Sequence, residues 1–303
     1  MSEPNLTVRA DPTGSVASVA SVASADPAGV VEAASVATGW DCHVHVFDAA
    51  APVRPGHYRP DHHPLEEIEA LALAHGIGHL VLVQPSVYGS DNSVMLHALA
   101  QGQGKHRGVA VVEPDITDQE LDRLHAAGVR GVRFNLVSPA GHSGDPGIDL
   151  MVLAPRLRER GWHVQWYAPV DMLAQLVRWQ SGCGMTFVLD HLAGLHAGLR
   201  DDTPAWAAAQ ALADAGAWIK LSGWYRLATT APWDELIPVV QRAAAMFGPR
   251  TVWGSDWPHT SYAPDLIPAY ESTLYPVRAA LGEAAFSTNL CDHARALYDH
   301  CHT

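Results

Sequence analysis

His43 and His45 stand two residues apart in the segment DCHVHVFD. Side chains on a strand alternate between its two faces, so these two imidazoles point the same way. That spacing suits joint ligation of one metal ion or joint contact with one polarised oxygen. His191 in LDHLAG and Asp256 in WGSDWPH supply the other half of a reactive set. Three histidines and one carboxylate are the ligand types of a zinc or manganese site. They equally suit a metal-free site, with Asp256 as general base and the histidines polarising a carbonyl. From the residues alone the expected cofactor is therefore none, or one divalent ion, zinc or manganese, held by His43, His45, His191 and Asp256.

Positions 43, 45, 191 and 256 meet only if the chain returns repeatedly to one place. From Trp40 onward short apolar runs alternate with longer helical ones. The strand candidates are Trp40–Phe47, His79–Pro85, Arg107–Pro114, Arg130–Val137, Trp162–Ala168, Thr186–Ala193, Trp218–Trp224 and Thr251–Pro258. Leu65–His75, Thr117–Ala127 and Trp206–Ala215 carry apolar residues at helical spacing. Pro64, Pro155, Pro204 and Pro232 are read as lying near helix starts, where a missing N–H costs little. Gly76, Gly128, Gly161 and Gly216 are read as helix C-caps. Alternating β and α units imply a parallel sheet, and eight of them predict a closed TIM (β/α)8 barrel over residues 39–303. An open doubly wound sheet would advertise a phosphate loop, but no G-x-G-x-x-G occurs and GQGK at Gly102–Lys105 lacks the spacing. Residues 1–38, with the repeat SVASVASVASA, are expected to be a disordered tail.

In such a barrel, reactive groups sit at the C-terminal strand ends. After the first-strand histidines, the ends offer Gln84 and Ser86, Glu113, Arg133 and Asn135, and Gln165 and Tyr167. Asp190 and His191, then Ser222, Trp224 and Arg226, then Asp256 complete the circle. So many polar groups are costly unless they line a wet, functional cavity. His62, His63, His75, His79, His97, His106 and His125 are read as surface residues, while His259 could reach the mouth. Cys42 should face away from His43 by strand alternation and serve packing. GHSGD at Gly141–Asp145 lacks both the spacing and the strand-to-helix turn of a serine nucleophile elbow.

Bulk properties narrow the class further. The chain has 303 residues, 48% of them hydrophobic, and a formal net charge of -13. An acidic surface disfavours nucleic acid as a partner, and any anionic substrate needs locally placed arginines. No apolar run is long enough for a membrane span. Four cysteines with no C-x-x-C pair suggest buried thiols in a reducing compartment. Glu3 ahead of Arg9, and serines breaking every apolar pair, argue against a signal peptide, so a cytoplasmic location is expected.

DCHVHVFD, LVQPSVYGSDN, GVRFNL, DHLAG, LSGWYR and WGSDWPH, in this order, resemble the amidohydrolase-2 family. Within it they look like the group around the 2-pyrone-4,6-dicarboxylate lactonases. The resemblance runs from Trp40 to the C-terminus. It implies that His43, His45 and His191 contact the substrate carbonyl and that Asp256 activates water. It also implies substrate-binding roles for Tyr58, Ser86, Arg133, Tyr167 and Arg226. One departure stands out: where those lactonases carry a further arginine, six residues after Arg133, this chain has Pro139. The expected activity is hydrolysis of a carboxylated lactone, the partner being a small anionic substrate. A metal-dependent decarboxylase or other hydrolase on the same barrel is the alternative, and a non-catalytic binder of organic acids comes third.

Overall fold

The computed structural model describes residues 37–55, 58–260, 262 and 264–299. The tail expected at the N-terminus lies outside the described residues up to position 36. Eight strands follow in chain order: β1 (Gly39–Val44), β2 (Ile77–Val83), β3 (Arg107–Ala110), β4 (Val129–Asn135), β5 (His163–Tyr167), β6 (Phe187–Leu189), β7 (Trp218–Leu221) and β8 (Thr251–Trp253). They pair in parallel in the order β1 to β8. The circle is completed beyond the end of β8. There Val44 bridges Trp257, His45 N donates to Trp257 O at 2.9 Å and Asp256 N donates to His43 O at 2.8 Å. The result is the TIM barrel that the alternation of apolar runs predicts.

Helices pack between the strands: α1 (Leu65–Leu73), α2 (Ser93–Gln101), α3 (Asp118–Ala126), α4 (Pro146–Glu159), α5 (Leu173–Cys183), α6 (Pro204–Asp214) and α7 (Ile237–Phe247). Three short ones follow β8: α8 (Tyr275–Leu281), α9 (Glu283–Thr288) and α10 (Ala294–Tyr298). Thr117 caps α3 by accepting from Glu120 N at 3.2 Å, a bond worth about 1 kcal/mol. Asp145 caps α4 through Gly147 N and Ile148 N. Pro155 does not mark a helix start; it sits inside α4, whose first-turn proline is Pro146. No helix among the described residues is long and apolar enough to cross a membrane.

Strand alternation divides the core. Leu80, Leu82, Val132, Val164, Leu189, Ile219 and Leu221 pack outward against the helices. Val81, Val83, Val109, Val188 and Val252 fill the barrel interior. Tyr298 of α10 closes its lower end, stacking on Trp40 and meeting His163 edge-on. Cys42 belongs to this interior cluster, and so lies on the same side as His43. The expectation that it faces away fails because the β1 register is irregular between Asp41 and Val44, which breaks the period of two. The packing role holds, since Cys42 is fully buried.

Candidate active site

The strand ends deliver the expected residues, but turns rather than strands aim several of them. β6 stops at Leu189, and His191 begins a run of three left-handed residues with Leu192 and Ala193. The turn lets Asp190 and His191, adjacent in sequence, both enter the barrel mouth. Asp256 likewise lies beyond β8 with φ 63°. Non-glycine residues pay for such conformations only where surrounding packing enforces them, and they concentrate at functional sites. Two glycines make the room. A Cβ on Gly254 would lie 2.6 Å from His43 Cβ, and one on Gly223 would lie 2.3 Å from His191 Nδ1.

Asp256 is the centre of the arrangement and is buried. Its two oxygens have different neighbours. Oδ2 accepts from Tyr225 Oη and Arg226 Nε, both at 2.7 Å. Oδ1 faces Nε2 of His43 at 3.5 Å and of His45 at 3.4 Å. Burial pushes this carboxyl toward neutrality, but Arg226 and then the histidines outweigh it and hold it well below the usual carboxylate range. Burial also lowers His43 far below the ordinary imidazole range and takes His191 down to about 3. The contacts of His43 and His191 with Asp256 are therefore between neutral rings and a carboxylate, not ion pairs. His45 donates from Nδ1 to Val83 O at 2.7 Å, because a carbonyl can only accept. Nε2 is thus the nitrogen it presents to Asp256. His191 meets Ser222 Oγ through Nδ1 at 3.0 Å.

Beneath this layer lies a second polar hub. Asp190 Oδ2 accepts from Arg133 Nε at 3.1 Å and Gln165 Nε2 at 3.0 Å. Lys220, fully buried on β7, donates to Gln165 Oε1 at 2.7 Å. Its Nζ also lies 3.3 Å from His43 Nδ1 and 3.5 Å from Asp190 Oδ1. Burial opposes ionisation of Asp190, yet Lys220 first, then His43 and Arg133, hold it well below the usual range.

Above, a cavity of about 200 Å³ opens at the barrel mouth. All five residues matched to substrate binding line it: Tyr58, Ser86, Arg133, Tyr167 and Arg226. His45 and Pro139 share its wall, while His43, His191 and Asp256 lie deeper. The guanidinium carbons of Arg133 and Arg226 each stand 5.6 Å from the Tyr167 ring centroid, and that ring meets His191 edge-on. Ser86 Oγ accepts from Asn135 Nδ2 at 2.7 Å.

Other expectations need correction or sharpening. Trp224 does not serve the mouth: it is buried and its Nε1 donates to Thr273 O at 2.8 Å. The left-handed Gly223 ends the alternation, so Tyr225, its neighbour, reaches Asp256 instead. His106 is not on the surface; it is buried between Leu80 N, which it accepts from, and Glu69. His259 is buried near the site and anchored to Ser255 O. Glu113 stays at the rim, 3.9 Å from Arg54. Lys220 and Tyr225 escaped the sequence reading. For Lys220 a signal exists, since WIKL puts a cation on the inward phase of a buried strand.

The site can be tested for a metal on its unmet valences. Nε2 of His43, Nε2 of His191 and Oδ1 of Asp256 are buried with no hydrogen-bond partner. One ligand atom from each of these residues lies within 4.8 Å of the others. Three orphaned donors converging in this way fit a divalent ion. Among the described residues this is the group that satisfies the geometry, and His45 is not part of it.

Comparison with known proteins agrees with the geometry. The amidohydrolase family model matches residues 40–299. A 2-pyrone-4,6-dicarboxylate hydrolase of Comamonas testosteroni is 34% identical over 235 residues, covering 72% of this chain and 76% of that protein. A 4-sulfomuconolactone hydrolase of Rhizobium radiobacter is 32% identical over 231 residues, covering 74% and 76%. A solved structure from Pseudomonas putida, described as a 2-pyrone-4,6-dicarboxylic acid hydrolase, superposes with a TM-score of 0.77 at 32% identity. That match covers 86% of this chain and 97% of the other.

Proposed function

The chain belongs to the amidohydrolase family, and from that premise we propose that it hydrolyses the ring ester of a lactone bearing an acid group. The observation that carries this reading is the divided environment of Asp256. Its Oδ2 is tied down by Tyr225 and Arg226, while Oδ1 faces the Nε2 atoms of His43 and His45. A carboxylate held this way is a positioned base beside the His43 ring, which can meet a carbonyl oxygen through Nε2. Asp256 takes a proton from water, and the hydroxide adds to the lactone carbonyl. His43 and His191 stabilise the oxyanion, while His45, anchored through Nδ1 to Val83 O, lines the pocket beside them. The ring C–O bond then breaks, and the proton on Asp256 passes to the leaving oxygen. A divalent ion held by His43, His191 and Asp256 would supply Lewis-acid polarisation of the same carbonyl.

The acid group binds above, on Arg133 and Arg226. Guanidinium pairs with carboxylate or sulfonate through two parallel hydrogen bonds. Arg133 already commits Nε to Asp190, so it is a rigid anchor on the cavity wall. The buried free thiols of Cys42 and Cys183 support a reducing, cytoplasmic setting.

The direct test is turnover on a panel of pyrone and muconolactone substrates, read by loss of lactone and release of acid, with metal content measured on the same preparation. Saturable binding with no ring opening across the panel would make the protein a binder rather than an enzyme.

Specificity gives a second test. Pro139 lines the cavity at the place where the 2-pyrone-4,6-dicarboxylate lactonases are expected to carry an arginine. A lactone with one acid group, or with its second acid left in solvent, should therefore beat the pyrone dicarboxylate in kcat/KM. Arg133→Met should raise KM by roughly 30-fold or more, the equivalent of about 2 kcal/mol or above for truncating a buried charge contact. Pro139→Arg should move preference toward the dicarboxylate. A wild-type preference for the dicarboxylate that the added arginine leaves unchanged would overturn this account of specificity.

A further inference from the structure

Lys220 has no place in the chemistry above, yet it is fully buried directly under His43. An ammonium has three N–H donors and no acceptor. Buried donors must be paired. Three acceptors surround Nζ: Gln165 Oε1 at 2.7 Å, His43 Nδ1 at 3.3 Å and Asp190 Oδ1 at 3.5 Å. With Asp190 Oδ1 held as an ion pair rather than by a hydrogen bond, every N–H has an acceptor to face only if Nδ1 of His43 is a bare lone pair. A proton on Nδ1 would set N–H against N–H and orphan one ammonium donor.

The opposite side of the ring gives the same answer. With the proton on Nε2, His43 points N–H at Asp256 Oδ1, 3.5 Å away. With it on Nδ1, donated to Asp190 Oδ1 at 3.3 Å, two lone pairs would face each other between Nε2 and Asp256. That second arrangement is the one a metal ion needs, because a ligating nitrogen must offer its lone pair. Proton and metal therefore compete for Nε2, and the partner of Nδ1 decides between them.

We infer that Lys220 is a positioning residue that holds His43 as the Nε2–H tautomer in the metal-free protein, making it a hydrogen-bond donor to the substrate oxygen and placing a proton that a metal ion would have to displace. Asp190 is the rival partner that would favour ligation, as carboxylates do for ligating histidines elsewhere. Its Oδ2 is already occupied by Arg133 and Gln165, and its Oδ1 sits beside Lys220. This inference deepens the lactonase reading by assigning the form in which His43 acts.

The test needs no substrate, so its failure is separable from failure of that reading. Full-length protein stripped of metal and labelled with ¹⁵N-histidine is compared by NMR with His43→Gln to assign the His43 signals. The expected spectrum shows Nδ1 of His43 unprotonated and Nε2 protonated. A protonated Nδ1 in the wild type overturns the inference, whatever any variant does. Zinc affinity, measured by competition with a chelator of known affinity, should then tighten about tenfold or more in Lys220→Met, with the His43 proton moving to Nδ1. A role in packing alone would lower the melting temperature without moving that proton. A folded Lys220→Met with unchanged tautomer and zinc affinity also overturns the inference. If that variant does not fold, the wild-type spectrum still decides.

Discussion

Asp256→Asn should lower kcat by about 10²–10⁴, the range for loss of a general base. Asparagine preserves the shape of the side chain and its contact with Tyr225, but it cannot take a proton from water. The variant should fold with reduced stability, because Arg226 loses its carboxylate counter-charge 2.7 Å away in a largely buried site. A kcat near the wild-type value would remove Asp256 from the mechanism.

The same residue sets a pH dependence. Burial raises its proton affinity, and Arg226 is the largest force in the other direction, leaving the carboxyl well below its usual range. The active form is ionised, so activity is present above the folded value and fades only as pH falls through it. Wild-type kcat/KM should accordingly keep its plateau on the acid side, through the pH where ordinary carboxylates titrate, near 4. Arg226→Met removes the main stabiliser of the charge and leaves burial unopposed, which must shift the acid limb to higher pH. An acid limb that does not move, in a variant that still turns over, would mean that another group is titrating.

Gly223→Ala should be nearly as damaging, for a steric reason. Gly223 has φ +67°, where an L side chain is strained by about 1–2 kcal/mol. Its added Cβ would also lie 2.3 Å from His191 Nδ1, and the ring would have to move off Ser222. Misplacing a reactive group by about 1 Å can cost about 10²-fold in rate. Gly216→Ala separates the two effects. It carries the same kind of backbone strain at φ +87°, but its Cβ would meet nothing within 4 Å. A modest loss of melting temperature in Gly216→Ala, a larger one in Gly223→Ala, and turnover lost only in Gly223→Ala are expected from thermal unfolding and initial-rate measurements. Retained turnover in Gly223→Ala would show that His191 needs no such clearance.

Much of this protein can be read without coordinates because its two governing patterns are local. Apolar runs alternating with helical spacing specify parallel β/α units, since each unit must bury one face on the next. A period of two read along DCHVHVFD puts His43 and His45 on one side, and the barrel rule puts His191 and Asp256 at the same end. The limits also have local causes. Alternation misplaces Cys42 because β1 changes register within the strand. It misassigns Trp224 and Tyr225 because Gly223 turns left-handed where β7 has already ended.

By itself, then, the sequence determined the barrel, the four central residues and the ring of polar groups at the mouth, because each follows from spacing along one strand or one turn. Only the tertiary structure decided which group faces which. Lys220 and His43 are 177 positions apart and Tyr225 and Asp256 are 31 apart, and nothing in either local pattern couples them. Their partnerships arise where eight strands converge on one interior, in which every buried charge must find its counterpart among residues from other strands.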